Sequence, residues 1–126
     1  MPVLTQPPTM GDVLKFELNP NFNRETVTLL AGASYPVGAV LGRITASGLY
    51  KLATSGGSDG AQTAAAVLLT AVDASAADTP GVVIARGPAV VSKAALVFDA
   101  TVDDAAKAAT KHGQLAALGI VPRDTA

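Results

Sequence analysis

Along most of the chain apolar and polar residues alternate with a period of two, and only near the C-terminus does the pattern become that of a helix. Between Asp12 and Leu18, the side chains of Leu14, Phe16 and Leu18 point one way and those of Lys15 and Glu17 the other, as in a half-buried strand. Asn19-Pro20-Asn21 predicts a turn, because Asn tolerates left-handed geometry and Pro presets φ. Short β-branched segments follow at Glu25 to Leu30, Gly38 to Thr45 and Leu49 to Leu52, and Ser47-Gly48 is short enough to join the last two as a hairpin. Thr63 to Val72 (TAAAVLLTAV) is ambiguous by period, since alanines favour helix, but a bounded apolar run suits a buried strand and is read as one. Val82 to Ala85 and Ala89 to Val91 are strands on either side of Arg86-Gly87-Pro88, where Pro88 forbids an uninterrupted central ladder.

The helix is predicted at about residues 102–118. Thr101 is placed to cap it, and Asp104 three residues on resembles a capping box. Asp103 and Asp104 put negative charge at the positive end of the macrodipole, and Asp103 with Lys107 forms an i,i+4 pair. Gly119 is placed to end the helix in left-handed geometry. Gly113 costs about 1 kcal/mol relative to Ala inside a helix, so a kink or early end is expected there. At the other terminus, residues 1–12 (MPVLTQPPTMGD) carry three prolines and a glycine without usable period, which predicts an extended arm. With the strand that follows, the arm spans residues 1–18 and the body residues 19–126. The fold class is mainly β with one C-terminal α-helix, of α+β character.

Composition changes this picture in one respect. Hydrophobic residues make up 49% of the 126 and charged residues only 15%, against about 25% in an ordinary globular protein, while aromatics reach 4%. Much of the apolar fraction is Ala and Val, so the mean hydropathy of +0.39 reflects small apolar groups and a shortage of charge. That surplus points to surface buried against other chains. A formal net charge of −1, with nine scattered basic residues and no basic cluster, argues against direct nucleic-acid binding. The absence of Cys excludes a disulfide framework. No basic and apolar leader is read at Met1 to Asp12, and the longest apolar run, Ala64 to Leu69, is far short of the roughly 20 residues of a membrane span.

Catalytic patterns are few. Gly56-Gly57-Ser58-Asp59-Gly60 satisfies the G-x-S-x-G of a nucleophile elbow, and His112 follows in hydrolase order. The elbow needs a strand turning sharply into a helix within a large parallel sheet, and this chain lacks both length and alternating helices. A surface turn explains the motif. The same loop lacks the Gly-Lys-Ser/Thr ending of a phosphate-binding loop, since Ala61-Gln62 follows Gly60. His112 is read as an exposed helical residue near lysines and makes a poor metal site without Cys or paired carboxylates. Asp103 and Asp104 are explained as first-turn charges. No catalytic, cofactor or metal residue is assigned, and the chain is expected not to be an enzyme.

Taken together, five groups of residues resemble the head decoration proteins of tailed bacteriophages, the family of the lambda-type capsid-stabilising protein D. They are Arg24-Glu25-Thr26-Val27-Thr28; Val40-Leu41-Gly42-Arg43-Ile44-Thr45 with Gly48 and Tyr50; Asp59-Gly60 before Thr63-Ala64-Ala65-Ala66-Val67-Leu68; Val83-Ile84-Ala85-Arg86; and Ala116-Ala117-Leu118-Gly119-Ile120-Val121. Each is weak alone; their order and spacing cover nearly the whole chain. The resemblance implies a β-clip-like domain and a homotrimer. It implies binding at local threefold positions outside an expanded head, with the major capsid protein as partner and capsid stabilisation against DNA pressure as function. It also implies a virion location, with the host cytoplasm during assembly. By the same resemblance the arm docks on the capsid by adding a strand, and Pro2, Val3, Leu4, Thr5, Pro7, Pro8, Val13, Leu14, Phe16 and Leu18 are its expected contacts. Pro7-Pro8 lack donors and should flank the paired stretch, leaving Val13 to Leu18 as the better strand. The other reading is an oligomeric virion adaptor or carbohydrate-binding module, for which a chain without Trp is poorly equipped.

Overall fold

A computed structural model describes residues 10–124. In chain order the elements are a helical turn α1 (Met10–Val13), β1 (Leu14–Glu17), a second turn α2 (Pro20–Asn23), β2 (Arg24–Leu29), β3 (Ser34–Tyr35), β4 (Val40–Arg43), β5 (Tyr50–Leu52), β6 (Ala64–Leu68), β7 (Val72–Asp73), β8 (Thr79–Ile84), β9 (Ala89–Ser92), a 3₁₀ turn (Lys93–Ala95), the helix α3 (Ala105–Ala117) and β10 (Ile120–Arg123). The chain is thus mainly β with one C-terminal helix of more than a single turn, as its apolar periods predict.

Five strands close into a barrel in the order β2-β5-β4-β6-β8. β2 and β8 run antiparallel without a break from Arg24 opposite Ile84 to Leu29 opposite Thr79. Closure comes from the short parallel contact of β2 with β5, where the Leu30 amide donates to the Tyr50 carbonyl at 2.8 Å. The predicted hairpin is present: β4 and β5 pair antiparallel, and Gly48 takes φ +75° in the turn between them. Gly42 has no alternative at its position, because a Cβ there would lie 2.2 Å from the Ala61 carbonyl oxygen.

A second sheet has the order β1-β9-β10, with β9 antiparallel to β1 and parallel to β10. The small pair β3–β7 completes the β structure. Adjacent residues of the barrel strands serve two different cores. Val40, Val67 and Ile84 join Val13, Val91, Leu115 and Ile120 in the core shared with the second sheet and α3. Leu41, Leu68 and Val83 join Leu29, Tyr35 and Val72 in the other. Burial on both faces explains why β6 reads as an unbroken apolar run, and it settles Thr63 to Val72 as a strand ending at Leu68, with β7 beginning four residues on.

Several local expectations are corrected. α3 begins at Ala105, later than predicted. Its cap is Asp104, whose carboxylate accepts from the Lys107 amide at 2.8 Å, while Thr101 is held in a turn by Asp99. Asp103 and Lys107 form the expected pair at 2.7 Å, and Gly119 ends the helix at φ +83°. Gly113 does not end α3, which runs through it to Ala117. Asn19-Pro20-Asn21 forms more than a turn: Asn19 caps α2, with Pro20 at its first position and the Asn19 side chain accepting from the Asn21 amide. β10 lies where only a helix stop is predicted. Residues 10–18, expected as the end of the arm and the strand that follows it, are built into the fold: Val13 is fully buried and β1 pairs with β9.

Candidate functional site

Among the described residues the exposed large hydrophobics are Phe16 (50% exposed), Leu18 (62%), Phe22 (52%) and Leu118 (40%), and the segments that carry them meet at one corner around residues 86–90. Four elements build it. β1 carries Phe16 and ends beside Leu18, whose amide donates to the Pro88 carbonyl at 3.3 Å. α2 presents Phe22, and buried Asn23 next to it is the staple. The Asn23 Nδ2 donates to the carbonyls of Arg86 (2.8 Å) and Pro88 (3.2 Å), and its Oδ1 accepts from the Asn19 amide (2.8 Å). The turn after α3 closes the corner, with Gly87 donating to the Leu118 carbonyl at 2.8 Å and Ala89 to that of Gly119 at 3.1 Å. A buried amide side chain satisfied on both sides fixes α2 against residues 86–88.

Charge surrounds this corner in closed pairs. Arg24 donates from Nε to Glu17 at 3.0 Å, and that hydrogen bond holds the guanidinium above its ordinary pKa. Arg86 pairs with Glu25, donates to the Phe22 carbonyl and lies over the Phe22 ring at 5.7 Å from its centroid. Such exposed pairs contribute little to stability.

Of the expected contact residues, Phe16 and Leu18 are exposed at the corner and Leu14 is half-buried on β1. Val13 is a correction: its side chain is in the core and is not presented to a partner. Val13 to Leu18 does contain a strand, β1, which pairs with β9 on one edge and, as the terminal strand of its sheet, has no strand on its other edge among the described residues. Pro2, Val3, Leu4, Thr5, Pro7 and Pro8 lie outside the described residues. Phe22 and Leu118 were not foreseen. Phe22 follows a turn signal and Leu118 sits at a helix end, so neither carries a period that would mark it as exposed.

The remaining chemical candidates take structural positions. Ser58 is in an exposed loop that joins strand β5 to strand β6, so no helix follows it as an elbow requires. The loop is tied down by Asp59, which pairs with Lys51 at 2.9 Å and accepts from the Ala61 amide at 3.0 Å. Lys51 holds the Asp59 carboxyl below its usual pKa. Asp103 and Asp104 serve the first turn of α3. His112 differs from its expected exposed placement: its ring packs against Phe98, with centroids 5.6 Å apart. Among the described residues no three His, Cys, Asp or Glu side chains group as metal ligands.

Residues 3–120 match the family model of bacteriophage lambda head decoration protein D. The chain belongs to that family. The match takes in β1, α2, residues 86–88 and Leu118, so the whole apolar corner lies within the decoration protein's shared sequence. A head decoration protein is a structural component of the phage virion, attached to its capsid. No curated protein matches the chain.

Proposed function

We propose that this decoration protein acts as a homotrimer on the outer surface of the expanded phage head, at local threefold positions. There it stabilises the shell against the pressure of packaged DNA, without catalytic activity. The family match over residues 3–120 is the observation that carries the reading. The partner is the major capsid protein. The apolar corner of Phe16, Leu18, Phe22 and Leu118 supplies a surface for it, in a chain with too little charge to need none.

The arm is assigned to residues 1–9. β1 pairs with β9 on one edge and is the terminal strand of its sheet, so Val3-Leu4-Thr5 in the arm and the open edge of β1 are both offered for strand addition, with Pro7-Pro8 limiting the paired stretch in the arm and lowering the entropy lost on ordering. Three arms on one rigid body turn modest contacts into high avidity when their spacing matches the threefold site. Deleting residues 1–9, and not residues 1–18, keeps Val13 in the core. The truncated protein is expected to sediment as the same oligomer as the full chain and to lose binding to expanded heads stripped of decoration. Undiminished binding overturns the arm assignment, and a full chain that sediments as a monomer overturns the trimer.

A further inference from the structure

The segment formed by α3 and β10 is attached to the rest of the fold by Leu115 and Ile120 in the shared core, by the ladder of β10 on β9, and by polar groups of the helix. Lys111, only 1% exposed, donates its ammonium to the Gln62 carbonyl, and Gln114 accepts from the Ala64 amide at 2.8 Å. Leu115 supplies the one fully buried apolar anchor of the helix. His112, beside Lys111, lies against Phe98, and its Nε2 is buried without a hydrogen-bond partner. Of the two charged groups that act on it, the one favouring the neutral ring is the stronger. Lys93, on the 3₁₀ turn, opposes a positive charge; Asp124, beyond β10, favours one. β6 contributes no titratable side chain. Asp99, next to Phe98, has its carboxylate engaged by the Thr101 amide and hydroxyl, at 3.0 and 2.6 Å. The seam already holds one buried ammonium, and Asp124 alone favours a second positive charge.

We propose that His112 makes α3–β10 an acid-sensitive latch: protonation of the imidazole frees α3 from Phe98 and β6, and β10 from β9, while the barrel remains folded. Burial, followed by Lys93, lowers the His112 pKa below its ordinary value, so the open form takes up the proton more readily than the closed one. The closed latch is therefore fully favoured above pH ~6.5 and weakens as pH falls from there toward the closed-state pKa, by up to about tenfold per pH unit for one proton. Opening also withdraws the Leu118 and Gly119 carbonyls from Gly87 and Ala89, which loosens the apolar corner.

Hydrogen–deuterium exchange of the full chain at about pH 7.5 and about pH 5, scaled for intrinsic rates, tests this without any capsid. Peptides from α3 and β10 are expected to gain exchange at the lower pH while β2 and β8 keep their protection. His112→Phe, which keeps a ring against Phe98, should abolish the gain. Two further variants carry the sign of the effect should His112→Phe fold poorly. Lys93→Gln raises the closed-state pKa and should shrink the acid response, whereas Asp124→Asn lowers it and should enlarge it. Equal protection of α3 at both pH values, or an unchanged acid response in His112→Phe or in both charge variants, overturns the latch. The outcome is independent of whether the apolar corner faces a capsid.

Discussion

β4, β5 and β6 follow one another in the chain and pair antiparallel, and β8 returns to pair with β2 and β6; the second sheet instead brings together residues 14–17, 89–92 and 120–123. The two regions also differ in what lies between their elements. The barrel strands meet through small and branched apolar side chains, and no charged side chain is buried among them. The second region adds to its buried Val13, Val91, Leu115 and Ile120 the polar contacts of Asn23, Lys111 and Gln114, which reach backbone groups over long sequence separations. A hydrophobic ladder tolerates small shifts, whereas a buried polar contact is favourable only while every partner stays in place. The two regions share an apolar core but differ in how far they rely on buried polar contacts, and the exposed apolar corner belongs to the region that relies on them more.

Removing one group from each region measures the contrast. Leu41→Ala deletes a fully buried barrel side chain and is expected to cost about 2–5 kcal/mol in chemical denaturation, lowering the stability of the whole molecule. Asn23→Ala removes the staple between α2 and residues 86–88, leaving two carbonyls without this donor. Its expected cost is smaller, about 1–3 kcal/mol, and it should be accompanied by faster amide exchange at Leu18 and residues 86–88. Comparable global losses from both, with no local loosening in Asn23→Ala, would erase the distinction between the regions.

The same contrast governs what the sequence discloses. β4, β5 and the Gly48 turn are legible because their partners are local and the turn residue is diagnostic. The far end of β8 is hidden by Thr79-Pro80-Gly81, which reads as a loop, yet the residues pair across from Leu29, Thr28 and Val27. β10 is invisible for a different reason: a parallel strand following a helix stop depends on β9, some thirty residues earlier, to exist at all. Residues 10–12 carry the composition of an arm and residues 13–18 the alternation of a strand, but only the docking of Val13 against Val37, Leu96 and the rest of its core ties them to the body. At the corner, Phe16 and Leu18 alternate visibly, but Phe22 and Leu118 become neighbours of Pro88 and Gly87 only through the tertiary hydrogen bonds of Asn23 and Leu118. Lys111 and His112 read as surface charge, because no local pattern says that the helix turns them toward Gln62 and Phe98.

The smallest effect sharpens the comparison most. Gly113 lies in α3 with an ordinary helical backbone, exposed, and a Cβ there meets nothing within 4 Å. Gly113→Ala should therefore stabilise the helix by about 0.5–1 kcal/mol, by restricting the unfolded chain without disturbing a contact. Where that increment appears depends on how α3 is coupled to the barrel. If helix and barrel unfold only together, the full amount raises the global denaturation midpoint. If α3–β10 opens ahead of the barrel, the amount raises the free energy of that local opening and slows exchange of the α3 amides, while the barrel's own transition hardly moves. Polar docking around Lys111 and the unpartnered His112 Nε2 favours the second outcome. A global midpoint shift of full size in Gly113→Ala, without selective protection of α3, would join the helix to the barrel as one cooperative unit.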